Sequence, residues 1–411
     1  MENRIEAGAD GALLVPDEPV IPCMPGDGIG PEIWSAARPV LDKAVAAAYG
    51  GGRRIRWREI FAGEKALIAC GSLLPEESLQ AIRLYRVAIK GPLTTPVGEG
   101  FRSVNVTLRR LFDLYACIRP VVYLPPVPSP LKTPEKVDMV VFRENTEDVY
   151  MGIEWEAGSK EAAEVAALAK RLSGKEIGPD TGIGLKPISK QGTQRLVRAA
   201  IRYALEQGRD SVTLVHKGNI MKFTEGAFRN WGYEVAAREF AGQTLTEKEA
   251  REQYNGRIPA GKVLIRDRIA DAMFQEIILR PERHSVLATP NLNGDYISDA
   301  LAALVGGLGM APGANIGNGY ALFEATHGTA PDIAGQGKAN PSSMILSGVM
   351  MLDHLGWGEA ALLARSALGE VLRRRFVTRD LAGHMPGATE VSCAAFGDLI
   401  CEEIGRMKEG A

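Results

Sequence analysis

What most limits the folding of this chain is a repeating alternation of short apolar runs with longer amphipathic stretches. PVIPCM precedes PEIWSAARPVLDKAVAAAY, and RVAIKGPL and DMVVFREN are further apolar runs. SVTLVHKG precedes FTEGAFRNWGYEVAARE, and HSVLATPN precedes LNGDYISDALAALVGG. Short apolar runs closed by turn residues read as buried strands, and apolar positions three and four apart read as helix faces. Strands that alternate with helices need crossover connections, so the rhythm predicts an α/β fold with a substantially parallel sheet. The first turn, Gly26-Asp27-Gly28-Ile29-Gly30, has GxGxG spacing rather than GxGxxG. It reads as a tight strand-to-helix turn, and a dinucleotide fingerprint is weakly supported there.

At 411 residues the chain exceeds one simple domain, and 45% apolar content excludes a disordered chain. With 48 basic against 50 acidic residues, no global field draws it to nucleic acid or an anionic membrane. No uninterrupted apolar stretch reaches the roughly 18 residues of a spanning helix. The five cysteines, Cys23, Cys70, Cys117, Cys393 and Cys401, form no CxxC pair and no metal spacing. Reduced thiols and a cytoplasmic location are expected. The segment MENRIEAGADGALLVPDEPV reads as a short disordered lead-in. Residues 148–189 break the rhythm: GIEWEA and GIGLKPIS look like two short strands around a helix rich in Ala, Glu and Lys. Such an insert suits an arm or clasp between subunits.

Chemistry concentrates in a few places. Asp295 and Asp299 stand four apart at the start of an apolar helix, so both carboxylates share a face. Hard dications such as Mg²⁺ or Mn²⁺ take oxygen ligands of this kind, and a helix cap with a solvated first-turn acid is the alternative. Asp267 and Asp271 repeat the spacing. Arg102, Arg109, Arg110, Arg119 and Arg143 fall within about forty residues, and guanidinium forks bind carboxylates bidentately. Three converging arginines suit a di- or tricarboxylate, whereas separate ones make surface ion pairs. Lys217 after SVTLVH and Tyr150 after FRENTEDV are placed to act as general acid or base, or to be structural.

Seven motifs, GDGIG, IKGPLTTPVG, RSVNVTLR, FRENTEDVYMGIEW, LVHKGNIMKFTEGAF, NLNGDYISDALAALVGG and FEATHGTAP, resemble those of the prokaryotic homodimeric isocitrate dehydrogenases in one order. These belong to the β-decarboxylating dehydrogenases, with isopropylmalate, homoisocitrate and tartrate enzymes as sisters. The resemblance implies a large domain from 1–114 and 306–411, a small domain from 115–147 and 190–305, and a clasp at 148–189, in a fold that is not Rossmann. It implies oxidative decarboxylation of isocitrate in a homodimer with shared active sites. Ser103, Asn105, Arg109, Arg119 and Arg143 match substrate positions, and the Ser103/Asn105 pair favours isocitrate over an alkyl-bearing substrate. Tyr150 and Lys217 match the catalytic pair, with Lys217 reaching the partner's site. Asp295 and Asp299 match metal ligands, and Asp271 matches the ligand given by the other subunit.

Thr94, Thr95, Asn219, Glu324, His327, Gly328, Thr329, Ala330, Asp332, Ile333 and Asn340 match cofactor positions. Where NADP users carry Lys and Tyr after HGTAP, this chain has Asp332 and Ile333. A carboxylate accepts hydrogen bonds from a ribose diol and repels a 2′-phosphate, so NAD is expected, with Arg379 and Gly383 at two further positions. A non-catalytic isocitrate-binding subunit is the reading of another class. The presence of Tyr150, Lys217 and all three aspartates speaks against it.

Overall fold

The computed structural model describes residues 3–8, 12–94 and 103–410. Its main sheet has eleven strands: β1 Val20–Met24, β2 Arg56–Glu59, β3 Val87–Lys90, β4 Ala116–Val122, β5 Asp138–Glu144 and β6 Ser211–His216 come first. β7 Thr244–Thr246, β8 Val263–Ile269, β9 Val286–Thr289, β10 Pro312–Ile316 and β11 Ala321–Ala325 complete it. The spatial order is β7-β8-β6-β9-β5-β4-β10-β11-β3-β1-β2. Both flanks pair in parallel, while the three central pairings, β5 with β4, β4 with β10 and β10 with β11, are antiparallel. Seven of the ten pairings are parallel, as the alternation predicts, and the antiparallel centre makes the sheet mixed. The missed element is the β10–β11 hairpin, whose Asn318-Gly319 turn, with Gly319 at φ +84°, joins two short runs masked by glycines.

Helices cover the sheet because their apolar stripes need a partner. On one side α1 Gly30–Tyr49 packs with the helices Ser342–His354, Gly358–Arg373 and Cys393–Glu409. Ile33, Val40, Leu41, Ala360, Leu368, Phe396 and Ile400 are fully buried there. A second core forms where the helices Lys190–Glu206 and Glu225–Glu239 meet β5, β6, β8 and β9 around Leu196, Ile201, Leu214 and Phe228. The insert behaves as its pattern suggested: Glu154–Trp155 and Ile183–Gly184 pair antiparallel around the helix Lys160–Ser173.

The amino-terminal segment is not a structureless lead-in. Glu6–Ala7 pairs with Leu13–Leu14, Ile5 is buried in the α1 core, and Val20 N–H donates to Asn3. A single well-placed isoleucine anchors a segment whose composition looks like a tail. The GDGIG turn is a turn for a steric reason. Gly28 has φ +58°, and a Cβ there would stand 2.1 Å from the Thr329 carbonyl, which accepts from Ile29 N–H. That contact docks the first strand–helix turn onto the HGTAP loop.

Candidate active site

Strand ends aim the polar residues into one cavity of about 340 Å³. Lys90 closes β3, Glu324 sits near the end of β11, and Arg143 near the end of β5. In parallel sheets ligands gather at such carboxyl ends. Arg119 enters from β4, while Ser103, Asn105 and Arg109 come from the helix Val104–Leu111 and its first flanking residue. Tyr150 comes from the turn Asp148–Met151, and Asp295 from the helix Asn291–Ala303. Close approach of that helix needs Gly294, because a Cβ there would meet Arg143 Cγ at 2.6 Å.

The lining holds four cations, Lys90, Arg109, Arg119 and Arg143, against the carboxylates of Asp295 and Glu324. Register places Glu324 opposite Lys90, so Glu324 Oε2 meets Lys90 Nζ at 2.8 Å. Its Oε1 accepts from Arg109 at 3.1 Å and from Asn315 Nδ2 at 2.7 Å. Burial pushes the Glu324 carboxyl up, but Lys90 and Arg109 together hold it well below the usual carboxylate range. Asp295 accepts from both Arg143 and the Tyr150 hydroxyl. Burial raises its pKa, and Arg143 with the Tyr150 bond outweighs that and lowers it. Burial and the Asp295 bond push the Tyr150 phenol up to about 12, so it is a protonated donor at neutral pH. Its ring also lies 4.8 Å from the Arg143 guanidinium. Arg119 donates to Ser298 at 2.6 Å and to Asp299 at 3.1 Å, and burial leaves the Asp299 pKa raised.

Several lining atoms lack a partner. Asn105 Oδ1, Arg109 Nε, Arg119 Nε and His327 Nε2 are buried without hydrogen bonds. A buried polar atom left unpaired costs about 1–3 kcal/mol, so such atoms clustered in one cavity point to a polar ligand. Lys90 escaped the sequence reading. The available signal was a lysine ending the fully buried strand VAIK, since a buried ammonium needs a counter-ion.

Other expected residues lie elsewhere. Lys217 follows β6 and pairs with Asp271, and neither lines the cavity. Asp271 is exposed, and its hydrogen bond from Lys217 lowers its pKa. Asp267 is not its helical neighbour: it lies in β8, where it binds His216 Nε2 at 2.9 Å and Tyr233 Oη at 2.8 Å. Asp295 and Asp299 offer oxygen donors fit for a hard dication, but two carboxylates do not complete its shell. Among the described residues no group of three His, Cys, Asp or Glu side chains gathers as a metal site. No helix there is long and apolar enough to cross a membrane.

His327 and Gly328 line the cavity mouth, and Thr329, Ala330, Asp332 and Ile333 continue away from it. His327 Nδ1 contacts the Gly328 carbonyl at 2.9 Å, and burial lowers its pKa. Asn340 is buried and donates to Asp380 at 3.0 Å, beside Arg379. Thr94 N–H donates to Asp27 at 2.7 Å, whose carboxylate also accepts from Glu64 and Lys65 N–H. Asn219 is exposed in the Lys217 loop. Thr95 lies outside the described residues.

Residues 20–400 match the isocitrate/isopropylmalate dehydrogenase family. An "Isocitrate dehydrogenase [NADP]" of Archaeoglobus fulgidus is 53% identical over 395 residues, covering 96% of this chain and 95% of the relative. "Isocitrate dehydrogenase [NADP] 1" of Colwellia maris is 53% identical over 400 residues, with 96% of each chain covered. The crystal structure of isocitrate dehydrogenase from Methylococcus capsulatus superposes with a TM-score of 0.76 at 38% identity, covering 94% of this chain and 99% of that one.

The names of these curated relatives overturn the expectation of NAD. Asp332 was given too much weight. It sits exposed on a short turn, Pro331–Ile333, and its main-chain carbonyl, not its carboxylate, takes a hydrogen bond from Gln336. A carboxylate in water is screened within about 8–10 Å and repels a phosphate weakly. Arg379 is exposed on the neighbouring turn, next to Asp380, which meets the end of the same loop. With an α/β fold of matching architecture and homology along nearly its whole length, the chain belongs to the isocitrate/isopropylmalate dehydrogenase family.

Proposed function

We propose that this protein is an NADP-dependent isocitrate dehydrogenase that acts as a homodimer. The observation that carries the substrate is the cavity: four cations, two carboxylates and unpaired buried atoms of Asn105, Arg109 and Arg119. A tricarboxylate with one hydroxyl answers both the charge and the open hydrogen bonds. The cofactor is supported by the names of relatives 53% identical to the chain. In this reading 1–114 with 306–411 and 115–147 with 190–305 are two lobes around the cleft, and 148–189 clasps the partner subunit.

Arg109, Arg119 and Arg143 orient two carboxylates of isocitrate, and Ser103 with Asn105 receives the third. Asp295 and Asp299 hold Mg²⁺ or Mn²⁺ together with the partner subunit's Asp271. When bound, the dication acts as a Lewis acid that eases loss of the hydroxyl proton and the later loss of CO₂. The partner subunit's Lys217 takes the hydroxyl proton, and bound NADP would supply the two-electron acceptor for the oxidation at C2. CO₂ then departs from C3, and Tyr150 returns a proton to that carbon, giving 2-oxoglutarate. As a phenol, Tyr150 enters that step protonated at neutral pH. The loop from His327 to Asn340 carries the adenosine end of NADP.

Initial rates with isocitrate and Mg²⁺, using NADP and NAD in turn, test this reading. Turnover with a higher kcat/KM for NADP is expected. No turnover of isocitrate removes the substrate assignment, and a preference for NAD removes the cofactor assignment.

A further inference from the structure

Next to the Tyr150 turn, one lysine of the 148–189 insert stands between two buried carboxylates. Lys186 Nζ lies 2.5 Å from Asp148 Oδ1 and 3.0 Å from Glu225 Oε1. Asp148 is 1% exposed and Glu225 0%. Two such carboxylates repel strongly at low dielectric unless a cation sits between them. Lys186 is the only cation paired with either among the described residues.

Each carboxylate holds one element of the proposed chemistry. Asp148 opens the turn that carries Tyr150, at a left-handed φ of +70° that a non-glycine residue adopts at a cost. Its Oδ1 accepts from Val149 N–H at 2.7 Å, and its Oδ2 accepts from Leu292 N–H at 3.0 Å. Those bonds fix the Tyr150 turn to the start of the helix that bears Asp295 and Asp299. Glu225 Oε2 accepts from the main-chain N–H of Lys217 and from Asn293 Nδ2. Its other oxygen is buried without a hydrogen-bond donor, so only the charge of Lys186 answers it.

We infer that Lys186 is a positioning residue that sets the Tyr150 turn and the Lys217 loop at the same time. The inference rests on the catalytic roles given to Tyr150 and Lys217 above. Because Lys217 serves the partner's site in that reading, the bridge also ties the acid of one active site to the lysine of the other. Among the described residues Lys186 pairs with Asp148 and Glu225 and with none of the arginines that hold substrate in that reading, so its loss acts on turnover rather than on binding.

The test is steady-state kinetics of the full-length protein with isocitrate, NADP and Mg²⁺. The variants are Lys186→Met, Lys186→Arg, Tyr150→Phe, Lys217→Met and the double variant Lys186→Met/Tyr150→Phe. A misplacement of about 1 Å costs on the order of a hundredfold in rate, so Lys186→Met should lower kcat by about thirty- to a hundredfold. Its isocitrate KM should stay within about threefold, because substrate binding is untouched. Lys186→Arg should recover much of kcat, and the double variant should fall below Tyr150→Phe alone, through the Lys217 loop, by less than the factor that Lys186→Met costs the wild type. A folded Lys186→Met enzyme with normal kcat overturns the inference, as does an arginine variant no better than the methionine one. If Tyr150→Phe and Lys217→Met both turn over normally, the catalytic reading itself fails and takes this inference with it. Should Lys186→Met not fold, Lys186→Met/Glu225→Gln removes one of the two orphaned charges. In that variant a low kcat supports the bridge and a normal kcat overturns it.

Discussion

Replacing Glu324 by glutamine isolates the electrostatics of the cavity floor. The side chain is 6% exposed and neutralises Lys90, which is 2% exposed, and Arg109, which is 10% exposed. Glutamine keeps the shape and can still accept from Asn315, but leaves two buried cations without their counter-ion. Breaking a buried pair by removing one partner costs about 3–5 kcal/mol, and the retained bond argues for the lower end. At about 1–2 °C per kcal/mol for a chain of 411 residues, the thermal midpoint should fall by roughly 3–6 °C. The Glu324 carboxyl is held below its ordinary range, so its stabilisation is complete at neutral pH and lost only as pH falls toward the lowered folded pKa. Calorimetry at pH 7.5 and one scan rate is the assay, run with and without isocitrate. A bound tricarboxylate brings negative charge back beside Arg109, so isocitrate at saturation should recover part of the loss. Lys90→Met in the Glu324→Gln background should also recover part, since it removes one of the two stranded cations. A midpoint within about 2 °C of wild type, or a further fall on adding Lys90→Met, would refute the argument that this charge balance stabilises the fold.

Three further outcomes follow from other parts of the molecule. Asp295→Asn keeps the side-chain shape but removes the charge that answers Arg143, and turnover should fall at least about a hundredfold, near 3 kcal/mol of barrier; a near-normal rate would make Asp295 a structural partner of Arg143 only. Mixing inactive Lys217→Met and Tyr150→Phe chains should restore about a quarter of wild-type activity in a statistical mixture of dimers, since each heterodimer keeps one intact site; proven subunit exchange without activity would exclude shared sites. Burial lowers the His284 pKa to about 4 despite Glu276 at 2.7 Å, so the unfolded chain binds its proton first and stability falls as pH drops below about 6.5. The loss from this histidine should reach about 2 kcal/mol at pH 5, and denaturant midpoints of wild type and His284→Gln between pH 7 and 5 should show a smaller decline in the variant.

The α/β class was legible because most strands and helices announce themselves by period. SVTLVH, VLAT and VAIK are buried along their whole length, and each lies close to a helix with an apolar stripe. The central hairpin was less legible, because PGANI and ALFEA are short, rich in small residues and separated by a glycine turn. Site residues were legible as types but not as partners. Arg109, Arg119 and Arg143 could be singled out from sequence, yet their convergence depends on a helix meeting two strands that pair antiparallel at the centre of the sheet. Lys90 and Glu324 are 234 positions apart, and only the register of β3 against β11 makes them a pair. Asp332 failed in the opposite way: its chemistry was clear, but its exposure was not, and a screened carboxylate has little say over a nearby phosphate. Lys217 and Asp271 expose a further gap. They find each other within the chain and neither lines the cavity that holds Asp295, so the proposed site draws both from a second copy. Asp148 at the Tyr150 turn and Glu225 at the Lys217 loop meet the same lysine of the insert, so the segment proposed to clasp the subunits also carries the residue proposed to set their acid and base.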